Sequence, residues 1–315
     1  MWLTYSVLAA VFFGTRGILY HWTSQKPINR NLLLFGTFSM GFIISLACGL
    51  ATGSHWTAAA LIGIQMGLFS FGANAAMFKG FAVGKASIIA ILTALPSVIV
   101  VFAAFLLWNE RLNWSQLLAF IVIVGGILLV RYSNDISLKN LQGAQWGLIA
   151  LLLFAFNDLS GKWSTIAEAE LFPTMSFMFG TGSICFALWW LRDVRQEQSR
   201  RKEIVKEALV ALHGKDGSAS SAPHAAASEA AGRWSSAKTY FVGMGVGITN
   251  VVGMIFIITA FDIGKAGLVS AVTALNVLIV LLYTRFVVKD KFTKVELAGI
   301  VLAFIGIILL RLFGS

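Results

Sequence analysis

Ten stretches of predominantly apolar residues follow one another along the chain, at positions 3–22, 31–50, 57–78, 86–108, 114–131, 145–163, 173–191, 239–261, 266–288 and 295–313. Each is close to the roughly 20 residues an α-helix needs to cross a bilayer. None shows the alternation of apolar and polar positions, broken by regular turns, that marks a transmembrane barrel. Trp22, Trp56, Trp108, Trp114, Trp146, Trp163, Trp189 and Trp190 fall near segment ends. Indole rings settle there, at the membrane–water interface. The pattern predicts an all-α integral membrane protein with ten transmembrane helices.

Composition removes the alternatives. Of the 315 residues, 58% are hydrophobic and 12% charged, where an ordinary soluble domain carries roughly 25% charged residues. The formal net charge is +10, but the lysines and arginines sit between the apolar runs as topology signals do, so no nucleic-acid partner is expected. The expected partners are the lipid bilayer and a small-molecule substrate, and monomer and homodimer both stay open. The four histidines lie at or beyond the segment edges, and the two cysteines form no CxxC pair. No glycine-rich phosphate loop precedes a Lys-Ser/Thr pair. No metal, cofactor, ATP-driven engine or enzyme activity is therefore expected. No signal peptide is evident, and residues 3–22 read as the first span.

The chain repeats itself. Residues 78–131 align without gaps to 258–311, at an offset of 180, with 14 of 54 positions identical. Gly84, Lys85 and Ala86 fall on Gly264, Lys265 and Ala266, and Thr93, Ala94 and Leu95 on Thr273, Ala274 and Leu275. The same offset superposes the GxxxG pairs Gly63/Gly67 and Gly243/Gly247. Earlier in the chain the offset is 144, where Phe35-Gly36-Thr37 recurs as Phe179-Gly180-Thr181. The change places an insertion within residues 192–238, which hold nine Lys/Arg, six Asp/Glu and a low-complexity Ser/Ala run. Its first half, 192–213, reads as a helical extension of the seventh span and the remainder as a flexible linker. Residues 1–140 then form one five-helix repeat and 141–315 a second. Five spans per copy turn the second upside down, giving two inverted five-helix repeats. Many secondary transporters are built this way, with the binding site near mid-membrane between the halves.

The first copy carries Phe13-Gly14, Pro96, Glu110-Arg111, Gln116 and Gly125-Gly126, and the second carries Asp290-Lys291, Glu296, Gly299 and Gly306. On these residues the chain resembles the drug/metabolite transporter superfamily of the EamA type, with Ala119 and Asn276 departing from the usual glycine and proline. The resemblance implies a secondary transporter, a permease or exporter of a small organic metabolite, amino acid or drug-like solute working by alternating access. It also implies a cavity lined by helices 1, 3, 4, 6, 8 and 9, with helices 5 and 10 peripheral. A sugar or nucleotide-sugar permease of the same superfamily and a passive pore are the alternatives.

With both termini outside, the cytoplasmic loops hold 19 Lys/Arg and the outer ones four. The positive-inside rule thus predicts a multi-pass cell-membrane protein with external termini and a cytoplasmic 192–238 loop. Ionisable groups at depth cost roughly 2.5–3.5 kcal/mol on insertion scales, so each is a functional candidate. Arg16 in the first span and Asp158 in the sixth stand out, displaced toward opposite faces as two ends of one polar cavity. Asp158 is the one acidic residue well inside a span and the candidate for coupling transport to protons. Asn74, Asn157, Asn250, Asn276, Thr93 and Thr273 lie at similar depth as candidate cargo ligands, although such groups also serve as interhelical hydrogen bonds. Pro96 is expected to bend the fourth helix. Lys79, Lys85 and Lys265 read as interfacial anchors. Glu110 with Arg111, mirrored by Asp290 with Lys291, is expected to form loop salt bridges.

Overall fold

The computed structural model describes residues 1–83, 86–131, 143–213, 234–289 and 293–313. Its helices are α1 (Trp2–Ser24), α2 (Arg30–Ala51), α3 (Ile62–Val83), α4 (Ala86–Leu92), α5 (Pro96–Trp108), α6 (Trp114–Arg131) and α7 (Ala144–Ile166). They continue as α8 (Leu171–His213), α9 (Ser236–Ile263), α10 (Ala266–Thr273), α11 (Asn276–Tyr283) and α12 (Lys294–Phe313). A 3₁₀ turn, Ala58–Leu61, leads into α3. Among the described residues nine helical stretches are long and apolar enough to cross a membrane, with α4–α5 and α10–α11 each making one of them. α7 is missing from that set because its second half carries Asn157, Asp158, Ser160, Lys162 and Ser164. It is nonetheless 23 residues long and packs along α3 inside the bundle, so ten spans stand in the fold. α8 runs on to His213 as expected, while the linker beyond it lies outside the described residues.

Local chemistry sets the helix starts. The Asn29 side chain accepts from Leu32 N at 3.0 Å to open α2, and Ser235 does the same for Lys238 N at 3.2 Å to open α9. α6 and α12 begin with reciprocal caps. Asn113 Oδ1 accepts from Gln116 N at 2.8 Å and Gln116 Oε1 accepts from Asn113 N at 3.2 Å. One repeat later, Thr293 Oγ1 accepts from Glu296 N at 3.2 Å and Glu296 Oε2 accepts from Thr293 N at 2.7 Å.

Packing follows small residues, as it must where lipid tails are as apolar as leucine and only close approach favours helix association. The GxxxG of α3 lies on α8, where a Cβ at Gly63 would fall 2.0 Å from Thr174 O. The matching pair in α9 lies on α2, where a Cβ at Gly243 would fall 2.2 Å from Leu33 O. α6 and α12 meet at a second crossing. Gly126 abuts Ala303 and Gly299 O, and Gly306 abuts Ile123 and Ala119 O. Each contact becomes the other on exchanging the two copies. As α6 advances its partner in α12 recedes, so the two helices are antiparallel and the twofold relating them lies in the membrane plane.

The same axis passes between α2 and α8. Ser39 Oγ and Ser183 Oγ, 144 positions apart and so repeat mates, hydrogen-bond each other at 2.9 Å. Both are buried. Ser39→Ala and Ser183→Ala are each expected to cost about 0.5–1.5 kcal/mol, and the double variant no more than either single. Reversible unfolding of the four proteins in mixed micelles would check this, additive losses contradicting it.

Two spans predicted as continuous helices are broken. After α4, Ala94 N bonds Ile91 O at 3.0 Å and Leu95 N bonds Leu92 O at 3.2 Å, three residues back instead of four. After α10, Leu275 N bonds Val272 O at 3.1 Å in the same manner. Pro96, expected to bend a helix, instead begins α5 at its first position, where the missing N–H costs nothing. Asn276 begins α11 at the equivalent place. The break therefore does not need a proline ring. It recurs at the shared Thr-Ala-Leu in both copies.

Candidate functional site

The two breaks face a central cavity of about 500 Å³. Helix interruptions at this depth are tolerated where the freed backbone groups border a cavity rather than lipid. All eight side chains singled out from the sequence border it: Arg16, Asn74, Thr93, Asn157, Asp158, Asn250, Thr273 and Asn276. They come from α1, α3, α7 and α9 and from the two broken spans. The picture of helix five as peripheral needs correction. Val130 and Arg131, the last residues of α6, also line the space, as do Phe38 of α2 and Met178 of α8. α6 packs on α10 as well as on α12.

Arg16 donates to Asn250 Oδ1 across the α1–α9 interface. Its guanidinium carbon stands 4.5 Å from the Phe13 ring centre and 5.9 Å from that of Tyr20. Ring faces and an amide oxygen thus hold the cation, with no counter-ion among the described residues. Asp158 accepts from Ser270 Oγ of α10 at 2.5 Å and from its neighbour Asn157. Neither arginine of the cavity forms an ion pair with it among the described residues. Asn74 Nδ2 turns back to Ser70 O at 2.7 Å, and Thr93 Oγ1 to Ile89 O at 2.9 Å. Asn157 Oδ1, Thr273 Oγ1, Ser97 Oγ and Arg131 Nε are enclosed without a partner among the described residues. All four belong to cavity residues.

The cavity is unequal at its two ends. Toward the face bearing the α8 extension it reaches Tyr20, Phe81 and Arg131, each within about a turn of a helix end. Toward the face bearing the termini it meets a polar lock one turn past Asp158. There Lys162, 8% exposed, donates to Phe261 O at 2.7 Å and Gly264 O at 2.9 Å, and its ammonium lies 3.2 Å from Glu110 Oε1. Glu110 Oε2 accepts from Ala266 N at 2.8 Å, at the start of α10. Lys265 donates to Arg111 O at 2.5 Å and to Gln116 Oε1 at 2.7 Å. Beyond the lock lies a separate recess lined by Trp2, Asp262 and Leu268 among others.

This arrangement corrects two readings. Glu110 pairs with Lys162, not with Arg111, whose Nε donates to Asn109 Oδ1 at 3.1 Å. An adjacent-residue bridge in water gains little, while a buried lysine one turn from the cavity requires a carboxylate. Lys265 ties two loops together instead of anchoring to headgroups. The Asp290–Lys291 pair and Lys85 lie outside the described residues. On the termini face two loops also meet, with His55 Nδ1 2.8 Å from Glu170 Oε1 in an exposed contact. Hydrogen bonds from the His55 backbone and ring hold the Glu170 carboxyl below the usual glutamate range. The carboxylate's part in this contact is lost as pH falls through that lowered value.

Sequence reasoning passed over Arg131, Lys162 and Ser270. The first two stand at span ends, where a cation reads as a topology marker, and Ser270 is one serine in a small-residue run. The available signal for Lys162 was its spacing of four from Asp158, which puts both on one helix face.

No curated protein sequence matches the chain significantly. Among solved structures 28 chains match. One, described only as a crystal structure of a protein, aligns over 98% of this chain and 96% of its own with a TM-score of 0.69 and 13% identity. At that identity the likeness is one of fold. The family profile described as the EamA-like transporter family matches residues 1–132 and 217–312. A match over more than half of the chain, on a ten-span helical bundle with a polar cavity at its centre, shows that this protein belongs to the EamA-like transporter family.

Proposed function

We propose that the protein is a secondary carrier that moves a small amphipathic organic solute through the central cavity by alternating access. The observation that carries this reading is the inequality of the two ends. Halves of like architecture meet at the cavity, yet the Glu110–Lys162 lock closes one end while the other reaches the helix ends. A twofold-related bundle can exchange which half is closed, and that exchange delivers a bound solute to the other side. A passive pore has no use for a buried ion pair across its path.

The count of Lys and Arg orients the protein with termini outside the cell membrane, so that this conformation is open to the cytoplasm. The eight cavity side chains named from the sequence are the cargo ligands in this reading, and Asp158 is the group that takes up and releases a coupling proton.

Counterflow in proteoliposomes tests the carrier. A solute selected by thermal-shift screening of the purified protein against metabolites is loaded inside, and labelled solute is added outside. Transient accumulation against its own gradient is expected. A simple monotonic approach to equilibrium, with no stimulation by internal solute, would identify a pore instead.

A further inference from the structure

The charges of the cavity do not balance. Among the described residues its charged side chains are Arg16, Arg131 and Asp158, two guanidinium cations against one carboxylate. Asp158 is already engaged by Ser270 and Asn157. Arg16 is held by Asn250 and two aromatic faces. Among the described residues Arg131 has neither ion pair nor hydrogen bond, and its Nε is shut away from solvent without a partner. A guanidinium carries five N–H donors and stays protonated in any protein environment, so an unpaired one at the edge of a membrane span is costly. Beside the uncharged polar side chains already named, the wall carries an apolar stretch that includes Phe13, Phe38, Met66, Met254 and Phe261.

From this geometry we infer that the cargo is an organic anion, a solute with a carboxylate, sulfonate or phosphate head and an apolar body. The inference rests on the central cavity being the cargo site. The head sits toward the open end, against Arg131 and Arg16, where it supplies the oxygens that Arg131 lacks. The body lies along the aromatic and methionine wall. A cationic solute would add a third positive charge beside two arginines, and a neutral one would leave Arg131 unpaired. Asp158, at the opposite end, is spaced away from the head and carries no repulsion against it once protonated. An anion together with one proton then leaves a single net positive charge in the loaded cavity.

Binding of three isosteric probes to the protein in lipid nanodiscs tests this: 2-phenylethanesulfonate, 2-phenylethanesulfonamide and 3-phenylpropylammonium. The sulfonate is a strong acid and does not cross the lipid as a neutral species. Isothermal titration is expected to rank it at least about tenfold above the amide and the ammonium. Arg131→Gln should erase that preference, and Arg131→Lys should retain most of it, which separates charge from folding. Equal or better binding of the amide or the ammonium overturns the inference. So does a preference unchanged in Arg131→Gln, and so does failure of the sulfonate to bind. The measurement uses no gradient and no turnover. A protein that prefers the sulfonate but shows no counterflow sinks the carrier reading alone, while counterflow of a neutral solute with no anion preference sinks this one alone.

Discussion

Asp158→Asn is expected to reduce proton-driven accumulation of cargo to the equilibrium ratio while leaving counterflow intact. The substitution keeps the shape and can still accept the Ser270 hydroxyl, which now bonds Asp158 Oδ2 at 2.5 Å, so the fold is preserved. What it removes is the one carboxyl among the described cavity side chains. A pH difference of one unit stores about 1.4 kcal/mol per proton, enough to sustain roughly tenfold accumulation with one proton per cargo. The variant should therefore fall from about tenfold to about onefold under that gradient. Measuring uptake of the counterflow solute into vesicles with an imposed pH step decides it. Accumulation equal to that of the unmodified protein would make Asp158 a structural partner of Ser270 and nothing more.

Glu110→Gln is expected to shift the access of the cavity from the loop face to the termini face. The carboxylate holds the Lys162 ammonium at 3.2 Å and caps α10 through Ala266 N at 2.8 Å. Removing one partner of a buried ion pair leaves an uncompensated charge, at a cost of about 3 kcal/mol or more. That cost falls on the locked state, because opening the lock lets Lys162 reach water. Roughly 3 kcal/mol is a hundredfold change in the ratio of the two states. A single cysteine placed at Ala274, in the break before α11, reports the change once Cys48 and Cys185 are replaced by alanine. An impermeant thiol reagent should modify it from the loop face in the parent protein and from the termini face in Glu110→Gln. Lys162→Met combined with Glu110→Gln removes both charges and should lie between the two. Labelling that stays on the loop face in Glu110→Gln would show that the ion pair is no lock.

The bundle was legible from the chain because the membrane imposes it. A span must be long and apolar throughout, and a duplicated gene leaves its register in Gly63/Gly243, Thr93/Thr273 and Gly126/Gly306. Arg16 and Asp158 stood out for the same reason: apolar surroundings make an ionisable side chain conspicuous in the text of the sequence. Three features needed the tertiary structure. Whether Thr93-Ala94-Leu95 and its repeat mate unwind depends on the cavity beside them, which shelters the freed backbone. That the carboxylate of Glu110 meets Lys162 rather than the adjacent Arg111 depends on α7 returning to the loop between α5 and α6, a neighbour 52 positions further along. And the surplus cation of the cavity, Arg131, sits at the end of its helix where sequence alone sees an anchor. Hydropathy and repetition act along the chain and can be read there. Pairing of buried charges acts across it, between residues whose proximity exists only once the helices have packed.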